Sequence, residues 1–275
     1  MGLFAGKKGL ILGVANDHSI AWAAAQFAMA EGAVCGFTHL PDRPDDERQR
    51  NRRRVAMLTD TAPGAKFLLP LDVNKDEDIR AVVARAVEEF GQIDFVLHSI
   101  AFALLDDLKV DTIATSREGF KLAMEISAYS LLAVANAVKD AMAAKGSIVT
   151  MTYFGGEKAV PGYNVMGVCK AALDSIVKYL AYDLGPRGVR VNAVSAGPVR
   201  TLAGRAAGVE DMLGLYEKMA PLGRNITHEE VGRSAGFLLS DMSDGITGEI
   251  LHVDAGYNIM GSPGRLLDQY RGQLQ

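Results

Sequence analysis

The sequence predicts an α/β fold, in which a doubly wound parallel sheet of about seven strands carries helices on both faces. Three observations predict this fold. Seven short runs are almost continuously apolar, stretches with helical spacing of apolar residues lie between them, and no linker, repeat or low-complexity block interrupts the alternation. We therefore expect a single domain over residues 1–275.

The seven apolar runs are typical of strands that are buried on both faces. They span residues 8–14, 33–40, 66–73, 93–100, 146–153, 189–196 and 248–255. Apolar residues at three- and four-residue spacing predict helices over 19–31, 75–90, 118–143 and 163–184. Right-handed crossovers would place these helices on both faces, which is a Rossmann-type layout. Residues 197–225 are the segment that we expect to be irregular.

Composition excludes several classes of function. The chain is 49% hydrophobic and 23% charged with a net charge of −4, so it offers no overall attraction for nucleic acid or an anionic membrane. Cys35 and Cys169 are far apart and have no CxxC spacing, and the histidines show no metal-ligand spacing. Without a membrane-length apolar run or a cleavable signal, we expect a cytoplasmic protein without a metal site.

The turn after the first predicted strand is the expected place for a dinucleotide pyrophosphate. Of the usual glycines it has only Gly13, followed by Ser19 and Ile20. Gly13 permits a tight turn, and Ser19 is a good N-cap for a helix whose amides and dipole could bind the pyrophosphate. An ordinary capped helix after a glycine turn explains the same residues.

The end of the second predicted strand should decide between NADH and NADPH. An acidic residue usually stands there, but this strand ends at Leu40, followed by Asp42 and Arg43. Six arginines occur between Arg43 and Arg54, and neighbouring acids partly cancel them, which is typical of the solvated face of a helix. We expect NADH, with NADPH left open.

Tyr163 and Lys170 are seven residues apart in a predicted helix, which places them on one face with a rise of roughly 10 Å. This distance is too long for a direct hydrogen bond in a regular helix. A nicotinamide ribose could bridge them, because its hydroxyls can accept from the Lys170 ammonium while Tyr163 reaches the substrate. A solvated surface pair would have the same spacing.

These residues together resemble those of the enoyl-acyl-carrier-protein reductases, a divergent branch of the short-chain dehydrogenase/reductases. The resemblance covers residues 2 to about 260 and rests on "GVANDHSIAW", "HSIAFA", "VRVNAVSAGPVRTLA" and the spacing Tyr-x9-Tyr-x6-Lys formed by Tyr153, Tyr163 and Lys170. Ordinary members of the superfamily have a serine near the position of Tyr153 and a Tyr-x3-Lys pair. Reduction of a carbonyl compound by such a dehydrogenase is the alternative enzyme class, and a regulatory dinucleotide-binding module is the non-enzymatic one.

The resemblance implies reduction of the 2,3 double bond of a trans-2-enoyl-acyl-carrier-protein thioester by NADH, the last step of the fatty-acid elongation cycle. In such a substrate the carbonyl oxygen lies two carbons beyond the carbon that accepts hydride, so the acid must be displaced relative to a ketone reductase. Tyr163 would stabilise the enolate, and Lys170 would hold the ribose. Tyr153 would either line the site beside the acyl chain or assist the thioester. Ala103 and Met166 would line the acyl site beside the two tyrosines.

Further contacts carry over by resemblance alone. Asp72 and Val73 would meet the adenine; Ser99, Ile100 and Ala101 would flank the nicotinamide; Pro198, Val199 and Thr201 would contact the carboxamide and pyrophosphate. Residues 197–225 would form a substrate lid, for which an immobile helix and loop is the alternative. Relatives form homotetramers, which implies one here.

His98 ends an apolar strand, and we interpret it as a hydrogen-bonded core residue rather than a catalytic base.

Overall fold

The computed structural model describes residues 2–201 and 209–273. Its centre is a sheet of seven parallel strands in the order β3-β2-β1-β4-β5-β6-β7. The strands are β1 (Lys8–Leu12), β2 (Val34–His39), β3 (Ala65–Pro70), β4 (Ile93–His98), β5 (Met142–Thr152), β6 (Arg190–Ala196) and β7 (Ile250–Val253). Every predicted strand is present, and the predicted fold class is confirmed.

The helices alternate with the strands. They are α1 (Ile20–Ala30), α2 (Arg50–Thr59), α3 (Asp76–Phe90), α4 (Leu105–Leu108), α5 (Arg117–Met124), α6 (Ser130–Val138), α7 (Val165–Leu184), α8 (Val209–Met219), α9 (His228–Leu239) and α10 (Leu266–Gln273). A π-helical turn, Glu125–Tyr129, joins α5 to α6.

The core lies in two layers, one on each face of the sheet. Alternate residues of β1 face opposite sides: Leu10 and Leu12 pack in the layer that includes α3, α6 and α7, and Ile11 packs in the layer that includes α1 and α9. Small residues allow a close approach on the second side, since a Cβ at Gly232 of α9 would lie 2.8 Å from the carbonyl oxygen of Ala23 in α1. The doubly wound prediction is therefore confirmed.

Two helix predictions need correction. The predicted helix 118–143 ends at Val138, and its last residues belong to β5, because strand pairing of Met142 with Ile93 overrides their helical spacing. The predicted helix 163–184 begins only at Val165, because Asn164 has a positive φ of 45° that no helix accommodates. The predictions also omit α9.

Helix α9 carries a start signal in its sequence. The Thr227 hydroxyl accepts from the Glu230 amide at 3.2 Å, and the Glu230 carboxylate accepts from the Thr227 amide at 2.9 Å. This reciprocal pair is a capping box, which the sequence "THEE" encodes. Its position before an apolar run would have been enough to predict the helix.

Candidate active site

The predicted cofactor residues lie together at the carboxyl-terminal ends of the parallel strands, here called the sheet edge. Gly13 follows β1, Leu40 follows β2, Asp72 and Val73 follow β3, Ser99, Ile100 and Ala101 follow β4, and Pro198, Val199 and Thr201 follow β6. Strand β1 pairs with β2 on one side and with β4 on the other, so the strand order runs outward in opposite directions from β1, next to Gly13. Ligands of open α/β sheets bind at such a point.

Gly13 has a structural reason to be glycine. Its φ is +99°, and a Cβ at this position would overlap the carbonyl oxygen of Ser99. The two strand ends are held together, since the Ser99 amide donates to the Leu12 carbonyl at 3.0 Å. The turn thus leaves bare backbone where a phosphate-bearing ligand would have to approach closely.

Substitution Gly13→Ala should lower the free energy of unfolding by about 2 to 5 kcal/mol, because it combines the cost of positive φ with a clash against backbone. Denaturant unfolding would measure the loss. Gly91→Ala is the matched control: Gly91 has a φ of +76°, with nothing within 4 Å of its added Cβ. An equal loss in both variants would mean that the Ser99 clash is relieved at no cost.

The Ser19 hydroxyl makes different contacts from those expected. Ser19 stands at the N-cap position of α1. Its hydroxyl accepts from the amides of Ala15 at 2.9 Å and Asn16 at 3.0 Å and, in the described part of the chain, makes no hydrogen bond to an amide of the helix. The prediction of Ser19 as the N-cap residue is confirmed, but among the described residues its side chain makes no cap hydrogen bond. The Trp22 amide donates to the Ser19 carbonyl at 3.0 Å, so the amides of Ile20 and Ala21 are the ones that an anionic ligand could use.

The end of β2 does not present a carboxylate to an adenosine ribose. Leu40 is 66% exposed. The Asp42 carboxylate accepts from the amides of Asn51 at 2.6 Å and Arg52 at 3.1 Å, so it serves the first turn of α2. The arginine-rich stretch is helical over Arg50–Thr59, as expected of a solvated helix face.

Residues after β3 form a compact turn. The Asp72 amide donates to the Asp78 carboxylate at 3.0 Å, and the Asp72 carboxylate accepts from the Asn74 amide at 3.1 Å. Val73 is buried beneath it. The turn holds backbone and an apolar side chain at the sheet edge, which suits a flat heteroaromatic ring such as adenine.

The candidate catalytic tyrosines lie side by side after β5. The ring centroids of Tyr153 and Tyr163 are 4.7 Å apart in an edge-to-face arrangement. Burial raises the pKa of Tyr153 to about 12 and raises that of Tyr163 as well. Both hydroxyls therefore keep their protons at neutral pH and can donate hydrogen bonds.

Tyr163 is not on helix α7, contrary to the prediction. It lies in the turn before the helix, and the backbone reversal at Asn164 separates it from Lys170. The Asn164 amide group donates to the carbonyls of Leu108 at 2.9 Å and Val110 at 2.6 Å, which fastens this turn to the neighbouring segment. The helical rise between Tyr163 and Lys170 is therefore not the relevant distance.

Lys170 is a buried cation with an internal partner. It is 5% exposed, and its ammonium donates to the Met151 carbonyl of β5 at 2.8 Å. Burial lowers the pKa of Lys170 to about 8, while the nearby Asp174 carboxylate opposes this shift. An ammonium has three donors, so this group keeps capacity for acceptors such as ribose hydroxyls.

His98 is buried and fully hydrogen-bonded. Ser130 donates to the Ile126 carbonyl at 2.6 Å, so its oxygen accepts from Nε2 of His98 at 2.8 Å, and Nδ1 of His98 pairs with the Thr150 hydroxyl at 3.0 Å. Burial, with the charge of Lys170, lowers the pKa of His98 to about 3. The imidazole is neutral and both nitrogens are engaged, in agreement with its interpretation as a core residue.

The two candidate acyl contacts lie on the side of the tyrosines nearer α5. Met166 is buried, and the Ser127 hydroxyl lies 3.9 Å from its sulfur. The same hydroxyl accepts from the Phe102 amide at 2.9 Å, which fixes the chain just before Ala103. Ala103 packs against Val165 and other buried residues there. An apolar lining of this kind suits an acyl chain.

Pro198 and Val199 are buried after β6, and the Thr201 amide donates to the Val199 carbonyl at 2.8 Å. The predicted lid 197–225 continues from there, and its residues 202–208 lie outside the described part of the chain. Its later part is not irregular, because Val209–Met219 forms α8.

Two site residues were missed by the sequence analysis. Tyr216 on α8 has its hydroxyl 2.7 Å from that of Tyr153, and Tyr257 stacks on Tyr216 with ring centroids 3.7 Å apart. These residues are 63 and 104 positions from Tyr153 in the sequence, and no local pattern links them. Only the fold brings the three rings together.

Among the described residues, no group of three potential metal ligands is close enough to hold an ion. The same residues include no helix with both the length and the apolar character needed to cross a bilayer.

Comparisons with known proteins agree on one family. The family model described as "Enoyl-(Acyl carrier protein) reductase" matches residues 13–258. The chain is 49% identical to Enoyl-[acyl-carrier-protein] reductase [NADH] FabI of Bacillus cereus, covering 95% of this chain and 100% of the relative. It is 48% identical to the Nostoc enzyme of the same name, covering 93% and 98%.

A solved structure gives the same result. The crystal structure of the Bacillus cereus Enoyl-Acyl Carrier Protein Reductase with NADP+ and indole naphthyridinone superposes with a TM-score of 0.89 at 48% identity, covering 95% of this chain and all of that one. The chain belongs to the enoyl-[acyl-carrier-protein] reductase family.

Proposed function

We propose that this protein reduces the 2,3 double bond of trans-2-enoyl-acyl-carrier-protein thioesters with NADH, the last step of the fatty-acid elongation cycle. One observation carries the proposal: two protonated, partly or fully buried tyrosines lie in contact at the sheet edge that also holds the buried ammonium of Lys170. The names of the relatives, each an NADH-dependent reductase of this substrate class, support it.

The residues at the sheet edge fit a nicotinamide dinucleotide. Gly13 lets the chain turn tightly against the Ser99 carbonyl, and the amides of Ile20 and Ala21 at the start of α1 are the donors we assign to a pyrophosphate. Asp72 and Val73 are placed for the adenine, and Ser99, Ile100 and Ala101 for the nicotinamide, with Pro198, Val199 and Thr201 on its other side. The bound cofactor would supply hydride to the β-carbon of the substrate.

Residues of the chain then stabilise the negative charge that hydride addition creates on the substrate. This charge collects on the thioester oxygen as an enolate, and a neutral phenol is the right donor for it. The raised pKa of Tyr163 keeps its proton in place to donate to that oxygen. Lys170 holds the ribose and adds positive potential, and Tyr153 donates to the thioester from the neighbouring position. Uptake of a proton at the α-carbon of the enolate then completes the reduction.

The decisive experiment follows loss of reduced-nicotinamide absorbance with a medium-chain trans-2-enoyl thioester, in parallel with NADH and NADPH. A 3-ketoacyl thioester is the control substrate. We expect oxidation with the enoyl substrate alone and faster turnover with NADH. Turnover of the keto substrate alone would favour a carbonyl-reducing dehydrogenase, and binding of NADH without any turnover would favour a regulatory module.

We also propose a homotetramer. Strand β7 is the outermost strand of the sheet, and apolar Leu222 and Phe237 line an open groove beside it. A second copy of the chain could cover this outer strand. Light scattering after gel filtration would test the assembly, and a monomer at micromolar concentration would contradict it.

We further propose that residues 1–275 form a single domain, that an acyl-carrier protein delivers the substrate, and that residues 197–225 form a lid over it. A cytoplasmic location is supported by the two free, buried cysteines, Cys35 and Cys169, which suit a reducing compartment.

A further inference from the structure

Three tyrosines from distant parts of the chain form one contact chain, here called the tyrosine wall: Tyr153 after β5, Tyr216 on α8 and Tyr257 after β7. The hydroxyls of Tyr153 and Tyr216 are 2.7 Å apart, and the rings of Tyr216 and Tyr257 stack at 3.7 Å with an interplanar angle of 14°. Tyr216 is only 5% exposed. The wall therefore excludes water from the hydroxyl pair.

A pair of phenols has two possible proton arrangements, and they differ in what Tyr153 can do. If Tyr153 donates to Tyr216, its only proton is used within the protein. If Tyr216 donates, the Tyr153 oxygen accepts and its own proton is left to point at a substrate. The second arrangement also polarises Tyr153, because a hydrogen bond received by a phenol makes that phenol a better donor.

The role proposed for Tyr153 requires Tyr216 to be the donor in this pair. At 2.7 Å either hydroxyl could donate to the other, and only the arrangement in which Tyr216 donates leaves the Tyr153 proton for the thioester. Burial raises the pKa of both tyrosines, so both hydroxyls are protonated at neutral pH and each can act as a donor.

The ring of Tyr216 is itself held in place. Tyr257 stacks on it, and Phe154, the residue after Tyr153, packs edge-on against Tyr257 with centroids 5.9 Å apart. The tyrosine wall therefore links three segments by side-chain contacts. Tyr153 after β5 contacts Tyr216 on α8, Tyr216 contacts Tyr257 after β7, and Tyr257 contacts Phe154, which again follows β5. This arrangement fixes the hydroxyl of Tyr216 relative to that of Tyr153.

We propose that Tyr216 is a positioning residue for the reduction: its hydroxyl donates to Tyr153, so that the Tyr153 proton is directed at the thioester carbonyl of the enoyl substrate. This inference rests on the proposed function. The lid proposal gives α8 the role of covering the acyl chain. The present inference adds a second role, in which α8 supplies a hydrogen-bond donor to the reacting site.

The test is a double-mutant cycle with Tyr216→Phe, Tyr153→Phe and the double variant. Phenylalanine keeps the stacked ring and removes only the hydroxyl. We expect Tyr216→Phe to lower kcat/KM for the enoyl thioester about 3- to 10-fold, the worth of one neutral hydrogen bond. In the Tyr153→Phe background the same change should have no further effect, because the group through which Tyr216 acts is already gone.

Three measurements separate positioning from packing. NADH affinity, by quenching of protein fluorescence, should be unchanged in Tyr216→Phe, and the melting temperature should fall no further than in Tyr153→Phe, which loses the same hydrogen bond. Tyr182→Phe, an 82% exposed tyrosine on α7, is the matched control and should retain full activity. Equal fold-losses from Tyr216→Phe in both backgrounds would overturn the inference, as would full activity of the single variant.

The cycle also distinguishes this inference from the function on which it rests. The wild-type protein could oxidise NADH with the enoyl thioester while the double variant loses activity by the product of the two single-variant losses. In that case only the role of Tyr216 fails. If the wild-type protein does not turn over the enoyl thioester, the proposed function fails and the role of Tyr216 with it.

Discussion

Tyr163→Phe should lower kcat for the enoyl thioester by about 10²- to 10³-fold, the usual effect of removing one donor to a developing oxyanion. The hydroxyl is expected to act only once the charge forms on the thioester oxygen. The dissociation constant of NADH should therefore change less than twofold. Stopped-flow measurement of NADH oxidation, with a separate fluorescence titration of NADH, gives the two quantities.

Tyr179→Phe is the matched control for this change. Tyr179 lies on α7 and is 71% exposed, so loss of its hydroxyl should leave both constants unaltered. The edge-to-face contact between the rings of Tyr153 and Tyr163 is retained in Tyr163→Phe, which limits any loss to the hydroxyl. Unchanged kcat in Tyr163→Phe would remove this residue from the mechanism.

Lys170→Met should lower kcat/KM by about 10²- to 10⁴-fold, since two hydrogen bonds from a charged donor to the ribose would be lost. Methionine has a similar length and no charge, so the space in the core stays filled. Unlike Tyr163→Phe, this variant should weaken NADH binding. Lys178→Met, an exposed lysine on the same helix, is the control.

The pH dependence provides a second test of Lys170. Burial lowers its pKa to about 8 from an ordinary value of 10.5, so the ammonium is present below about 8 and is lost as the pH rises. We expect the affinity for NADH to fall as the pH passes through about 8. A flat affinity between pH 7 and 9 in the wild-type protein would contradict a role for the ammonium.

The stability of the protein should respond in the opposite direction. Between about pH 8 and 10.5 the unfolded chain binds more protons at Lys170 than the folded chain does. This group therefore makes the free energy of unfolding rise with pH over that window. Urea unfolding of the wild-type protein and Lys170→Met at several pH values isolates the contribution.

The layout of the fold could be predicted from the sequence because its signals are local. The seven strands are continuous apolar runs, and burial on both faces of a parallel sheet leaves no other pattern for them. Gly13 could be assigned to the turn for the same reason, as positive φ and close backbone approach leave glycine as the residue that fits.

Predictions that depended on helix boundaries were less successful. Apolar spacing suggested that helix α7 reached back to Tyr163, but a backbone reversal at Asn164 interrupts it, and spacing alone gives no sign of a positive φ at asparagine. Serine is a residue type that favours N-cap positions, but the Ser19 hydroxyl accepts from two amides of the short loop before it instead of from a helix amide.

The sequence by itself determined the parallel sheet, the glycine turn and the Tyr-x9-Tyr-x6-Lys spacing, because each is a pattern of neighbouring residues with one physical cause. Only the tertiary structure decided that Tyr216 and Tyr257 complete the site around Tyr153. Contacts between α8, β5 and the end of β7 depend on how three distant segments pack, and side-chain packing of this kind is not written in any local run of sequence.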